Sequence, residues 1–371
     1  AMSLAELIPD LHSDLFSVRY AAVAALGDLG LKAGEGALGA VVARSKDEDA
    51  DVRLAAVEAL PKVTNKGDKH AQAALIALLG DAEWRVRRAA VEALIAATDG
   101  SDEKVCRAVM DRLEDEVPHV RRAAVQALAY LAEKEDASAI EALIVRIGDA
   151  GTNIKIDAMQ VLAQIAEQGN EMVVSALLPC LEDETVNVRT AAMQALANVA
   201  RKGDERAVAA LVARASDAYE EVRCGALFAL GAAAERGSGA AADAASAALR
   251  DDEENVRCLA AQALGLLGPH GDAEAIRALR ACLEDKAWAV RMAAVQGLAQ
   301  VADRGHEPTL VALAELLEDE DERVRCATLQ SLARIAETGD KRLAKAATTR
   351  MQRDASAHVQ RAAKQLLSQI S

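Results

Sequence analysis

The stretch DETVNVRTAAMQALANVARKGDERAV, residues 183–208, decides how this chain is read. Counting from Val188 as zero, the apolar residues Val188, Ala192, Ala195, Leu196 and Val199 fall at 0, 4, 7, 8 and 11. At about 100° per residue they share an arc of about 100°, the buried face of an amphipathic helix. Asp183, five residues before Val188, reads as the N-cap that accepts the orphan N–H groups of the first turn. Gly203, fifteen residues after it, supplies the positive φ at which a helix stops. Asp204 is a fresh cap, and Ala207, Leu211 and Val212 begin a second apolar period.

Working outward, the Val-Arg pair recurs as Val18-Arg19, Val52-Arg53, Val86-Arg87, Val120-Arg121, Val222-Arg223, Val256-Arg257, Val290-Arg291 and Val324-Arg325, with Ile154-Lys155 in the same register. The interval is 34 residues until one inserted residue precedes the last copy, Val359-Gln360. A helix A and a helix B per interval, eleven times over, account for residues 3–371 as one all-α solenoid domain. The repeats begin near residues 3, 34, 68, 102, 136, 170, 204, 238, 272, 306 and 340. Ten copies carry the Asp at −5, and Glu220, Glu254 and Glu322 three residues later suggest capping boxes. Seven carry the glycine at +15: Gly67, Gly169, Gly203, Gly237, Gly271, Gly305 and Gly339.

The pattern Asp183-x4-Val188-Arg189-x-Ala191-Ala192-x2-Ala195-Leu196, followed by Gly203-Asp204-Glu205-Arg206-Ala207-Val208, resembles HEAT repeats, in particular the subclass first noted in phycobilin lyases. The resemblance covers the whole chain. It implies a right-handed superhelix with the helix A row outside and the helix B row lining a concave side. It also implies that the repeated Asp and Arg form a hydrogen-bonded ladder between neighbouring repeats.

Composition fits such a stack. Apolar residues make up 52% of the chain but aromatics only 2%, so the interior must be filled by closely approaching helices rich in Ala, the best helix former. Weak places are legible: Gly34, Gly36 and Gly39 in helix A of the second repeat, and the nearly all-Ala segment 238–249 in the eighth. A formal charge of −15 argues against phosphate-backbone binding, which needs clustered Lys and Arg, and favours basic partners. No apolar run of membrane-spanning length occurs, Ala1-Met2 reads as a remnant of cloning, and no signal peptide is seen. Cys106, Cys180, Cys224, Cys258, Cys282 and Cys326 form no CxxC pair and fit free thiols in the cytoplasm or another reducing compartment.

Opposite the buried arc of helix B lie positions −2, +2, +6 and +10. Six of the seven aromatic residues fall on this stripe: Phe16, Tyr20, Trp84, Tyr130, Phe228 and Trp288. An Ala-tight core expels large rings, but expulsion alone would scatter them over both faces. Exposed rings on one face are the usual anchors of a protein interface. Position +6 carries Gln126, Gln160, Gln194, Gln262, Gln296, Gln330 and Gln365, a row of donors and acceptors suited to the backbone of an extended segment, unless Gln is simply a good helix former on a wet surface. Position +13 is acidic in Asp99, Glu133, Glu167, Glu235, Asp303 and Glu337, and +14 is often basic; such charges either steer a basic segment or are merely solvated. Cys224, Cys258 and Cys326 share +2, too far apart for disulfides at ordinary helix spacing.

Enzymatic readings find no residues to carry them. A di-iron hydroxylase built on HEAT-like repeats needs paired His-Glu motifs, and only His306-Glu307 occurs. A bilin lyase is the enzymatic alternative, since an aromatic groove suits a tetrapyrrole, but no lyase-specific motif stands out. A HEAT-like DNA glycosylase needs a basic groove, whereas Lys62, Arg88, Arg122, Arg334 and Arg361 on the stripe are balanced by Asp28, Glu58, Glu92, Glu220, Glu254 and Glu322. The near-strict period also admits an engineered repeat binder, against which the divergent helix A sequences and irregular cysteines count. The sequence thus predicts a non-enzymatic scaffold, without metal or cofactor, that binds a segment of another protein in the helix B groove through the six aromatic residues and the glutamines.

Overall fold

The computed structural model describes residues 4–34, 36–149 and 151–370; the reading of Ala1-Met2 and the start of the first repeat at residue 3 lie outside these. Among the described residues there are 22 α-helices, five short 3-10 turns and no strand. Contacts group the chain into two compact units, residues 1–176 and 177–371. The first contains α1 (Leu4–Leu11), α2 (Phe16–Leu29), α3 (Ala37–Arg44), α4 (Ala50–Val63), α5 (Lys69–Leu78), α6 (Trp84–Ala97), α7 (Glu103–Met110), α8 (Pro118–Leu131), α9 (Ala137–Ile147) and α10 (Thr152–Ile165). The boundary falls in α11 (Glu171–Leu177). The second unit continues with α12 (Val186–Val199), α13 (Glu205–Arg214), α14 (Glu220–Ala233), α15 (Gly239–Ala248), α16 (Glu254–Leu267) and α17 (Ala273–Ala281), and then α18 (Trp288–Val301), α19 (Glu307–Glu315), α20 (Glu322–Ile335), α21 (Lys341–Arg353) and α22 (Ala357–Ile370).

The even-numbered helices are the helix B row. Each has 14 residues and runs from position −2 to +11. Within each unit consecutive B helices pack side by side, and each but α12 also packs on its own helix A, α12 packing on the 3-10 turn Leu178–Glu182. Burial accordingly exceeds the expected arc. In α12 Val188, Ala192, Ala195, Leu196 and Val199 are buried as expected, and so are Ala191 and Met193 at +3 and +5. Position +5 is also sealed at Val57, Val91, Val125, Met159, Leu227, Val295 and Leu329. A helix flanked on both sides by its own kind needs two further apolar edges, which a single-face periodicity does not anticipate.

The Asp at −5 is not the N-cap of helix B. Asp285 accepts the Ala287 N–H at 2.8 Å, and α18 starts only after Ala287. The carboxylate is engaged by an Arg of the preceding repeat, so the helix begins two residues later and the Asp holds the turn before it. Glu220, Glu254 and Glu322 are therefore first helical residues, not members of capping boxes. The glycine at +15 does adopt positive φ at all seven positions, yet helix B has ended at +11. Its N–H instead reaches forward to the last turn of the next helix B: Gly203 donates to Ala233 O at 2.7 Å, and Gly237, Gly271, Gly305 and Gly339 repeat the bond to Leu267, Val301, Ile335 and Ile370. The caps of helix A are as expected, with Asp68, Asp204, Asp272, Asp340 and Asn170 accepting N–H groups of the first turn.

Of the three glycines expected to weaken helix A of the second repeat, Gly34 and Gly36 lie before α3 with φ of 82° and 94°, leaving only Gly39 inside it. The Ala-rich α15 borders, with α17, a hollow of about 560 Å³ lined by Asp243, Ser246, Arg250, Glu274, Arg277 and Cys282.

Candidate protein-binding face on the B helices

Regularity of the B row comes from an ion-pair ladder. The Arg at +1 lies buried or half-buried and pairs with the Asp at −5 of the next repeat, in most repeats through a fork: Arg87 Nε and Nη2 donate to Asp115 at 2.7 and 2.8 Å, Arg223 to Asp251 at 2.8 and 2.8 Å, and Arg291 to Asp319 at 2.7 and 2.9 Å, whereas Arg121 and Arg189 each hold theirs through one nitrogen. Nη1 turns back to the carbonyls of its own turn, as Arg257 does to Asp251 O and Asp252 O at 2.8 and 2.9 Å. Such planar bidentate pairing is specific to guanidinium. Burial alone would raise the Asp285 pKa, but the Arg257 hydrogen bond, the Ala287 N–H and the Arg257 charge outweigh it and hold the carboxyl below its usual range. Asp47, Asp81, Asp115 and Asp251 are held down in the same way. The ladder implied by the resemblance is thus present within each unit.

At the other end of helix B, the residues at +13 and +14 also serve the stack. A Cβ added at Gly203 or Gly305 would meet Glu235 or Glu337 at 3.0 and 2.6 Å, so these +13 carboxylates lie against the glycine turn of the preceding repeat. Basic +14 side chains cap the carbonyls of the next B helix, Arg236 at Gly268 O (2.6 Å), Arg304 at Ala336 O (3.1 Å) and Lys134 at Gln164 O.

On the stripe itself the rings divide into two kinds. Phe16, Tyr20, Tyr130 and Phe228 stand exposed at 50, 44, 70 and 61%. Trp84 and Trp288 are half-buried against the next repeat. Trp84 stacks on His119 with centroids 5.6 Å apart, and the Arg323 guanidinium sits 3.3 Å from the Trp288 ring centroid. In both cases position −2 of one repeat meets −1 of the next, and Asn255 donates to Glu220 across the same junction at 2.8 Å. All seven glutamines at +6 are exposed. Gln126 donates to the buried carboxylate of Asp157 at 2.8 Å, beside Arg122 at 2.7 Å, while Gln262 and Gln330 approach the thiols of Cys258 and Cys326 on their own helices at 3.7 Å. In the first unit the stripe comprises Phe16, Tyr20, Trp84, Tyr130, Gln126 and Gln160; in the second Phe228, Trp288, Gln194, Gln262, Gln296, Gln330 and Gln365.

The family profile for HEAT repeats matches residues 4–95, 38–129, 72–163, 140–231, 208–299 and 278–368 in overlapping windows. The chain belongs to the HEAT-repeat family. No curated protein matches this HEAT-repeat chain in sequence. In fold it is similar to a structure of importin-β, with a TM-score of 0.71 at 16% identity over 99% of this chain and 59% of that one. Kap95p in a structure with RanGDP gives 0.63 at 15% identity over 100% and 55%, and Kap95 in a complex with Nup1 gives 0.64 at 15% over 100% and 56%. The chain spans little more than half the length of these neighbours, and at such identity the likeness establishes the α-solenoid fold.

Among the described residues no helix is long and apolar enough to cross a membrane, and no group of three or more His, Cys, Asp and Glu is placed to hold a metal ion. His306 sits at the N-cap of α19 with Nδ1 2.8 Å from Thr309 Oγ1. The −2/−1 junction and Asp157 escaped sequence reading. The only signal was the spacing of 35 residues between Trp84 and His119 and between Trp288 and Arg323, which becomes meaningful once repeats are stacked.

Proposed function

We propose that this chain is a non-enzymatic scaffold whose helix B face binds a segment of another protein. One observation carries the reading: Phe16, Tyr20, Tyr130 and Phe228 stand exposed on B helices although the same chain leaves few of its large aliphatic residues exposed. Exposed rings set among polar rims are typical anchors of protein interfaces. The exposed glutamines beside them supply polar contacts that tolerate different partner sequences. The importin-β relatives of similar fold bind RanGDP and Nup1, in keeping with a solenoid that receives proteins. Trp84 and Trp288 act in this reading through the edge each leaves uncovered.

The test is site-specific photo-crosslinking in the full chain. A benzophenone side chain replaces Tyr130 or Phe228 on B helices, and in parallel Val145 on α9 or Val311 on α19. Discrete adducts with source lysate from the first pair and none from the second support the reading. Adducts only from the helix A positions would move the site to the other face.

A further inference from the structure

The B face of the second unit is banded. At position −2, α14, α16 and α20 begin with Glu220, Glu254 and Glu322. One turn further, at +2, four consecutive B helices each present sulfur: Cys224, Cys258, Met292 and Cys326, all half-buried. A further turn on, at +6, come Phe228, Gln262, Gln296 and Gln330, all exposed. Because equivalent positions align from repeat to repeat, these bands run across the helix axes, the carboxylate band being interrupted at α18 by Trp288 with Arg323 over its ring.

Each band has distinct chemistry. Glu254 and Glu322 are exposed, and neither they nor Glu220 joins an ion pair among the described residues, although the ladder carboxylates nearby are all paired. The thiols stay protonated at neutral pH: burial first, then the charge of Glu254 or Glu322, pushes up Cys258 and Cys326, and Cys224 is pushed up to about 11 by burial and Glu220. They act as soft apolar surface, like Met292 beside them. The third band offers primary amides.

We propose that this banded face takes an extended segment in which Lys or Arg alternates with apolar residues, laid across α14, α16, α18 and α20. Four helices at about 10 Å spacing span about 30 Å, the reach of roughly ten extended residues. Apolar side chains, two residues apart and on one side of the segment, rest on the sulfur band. The long basic stems between them bend to the carboxylates on one flank, and the segment backbone meets the amides on the other. The charge complement decides for a basic segment and the thioether and neutral thiols for an apolar alternate. This proposal rests on the B face being a protein-binding face and specifies which segment it takes.

Fluorescein-labelled (Lys-Val)5, (Lys-Ser)5 and (Glu-Val)5 serve as probes, read by anisotropy with the full chain and with the Glu254→Gln/Glu322→Gln variant, whose helicity is checked by circular dichroism. Expected are binding of (Lys-Val)5 about tenfold tighter than either control, a loss of about tenfold in the variant, and protection of Cys258 and Cys326 but not Cys180 from N-ethylmaleimide by bound (Lys-Val)5. Absent binding of (Lys-Val)5, equal binding of (Lys-Ser)5, unchanged affinity in the variant, or no selective protection overturns the proposal. If the probes fail while Phe228 or Tyr130 still crosslinks, only the segment chemistry falls. If those crosslinks fail too, the B-face reading falls with it.

Discussion

The guanidinium of Arg323 lies 3.3 Å from the ring centroid of Trp288, although the two residues belong to consecutive repeats. The contact fixes α18 against α20 at their N-terminal ends, and Asp321 holds Arg323 in place through hydrogen bonds of 2.9 and 2.6 Å. Replacing Trp288 by Ala should lower stability by about 1 kcal/mol, and a double-mutant cycle with Arg323→Ala should show coupling. Strict additivity in urea titrations would mean that the stacking contributes nothing.

The ladder should tolerate no simple charge swap. Arg257→Ala leaves Asp285 without its fork and the Asp251 and Asp252 carbonyls without their donor, for an expected loss of about 3 kcal/mol. Arg257→Lys keeps the charge but not the geometry, and should recover less than half of that. Full recovery by Lys in denaturant melts would show that charge, not the planar fork, matters.

Acid should unfold the protein through the same carboxylates. Their folded pKa values are depressed, so they contribute stability above the ordinary Asp value of 3.8 and lose it as pH falls through the folded values below that. Urea midpoints should be flat from neutral pH to about pH 5 and fall steeply below about pH 4. For Asp285→Asn the overall midpoint should be lower at neutral pH and the acid slope shallower.

Gly265→Ala should destabilise although Ala favours helices by up to about 1 kcal/mol. A Cβ at Gly265 would stand 2.6 Å from Gly297 Cα, and one at Gly297 would stand 2.9 Å from Ala261 O, so α16 and α18 must separate. The overpacking cost of about 1–3 kcal/mol exceeds the propensity gain. A rise in thermal midpoint would show that the helices have room to part.

Glu135 holds a φ of 58° where most repeats have glycine, and its N–H still donates to Ile165 O at 2.8 Å. Its carboxylate compensates by accepting from the Glu167 N–H and from Asn170. Glu135→Ala loses the carboxylate and keeps the strain, whereas Glu135→Gly also relieves the strain, so the Gly variant should be the more stable by about 1 kcal/mol. The reverse order in thermal melts would rule out backbone strain as the governing factor.

The sequence by itself determined the repeat length, the A/B helix pairs, the core positions 0, 4, 7, 8 and 11, and the stripe of rings and glutamines, because local periodicity and turn chemistry are written within a single repeat. Only the tertiary structure decided what depends on a neighbour: that Asp285 answers Arg257 and does not cap α18, that +5 is sealed, that Trp84 and Trp288 lean on His119 and Arg323 while Tyr130 and Phe228 stand free, and that Gly265 meets Gly297. Each of these joins residues about 28 to 36 positions apart, and their meeting follows from how one repeat is rotated and displaced onto the next, a packing choice made by side-chain volume and not by any local pattern.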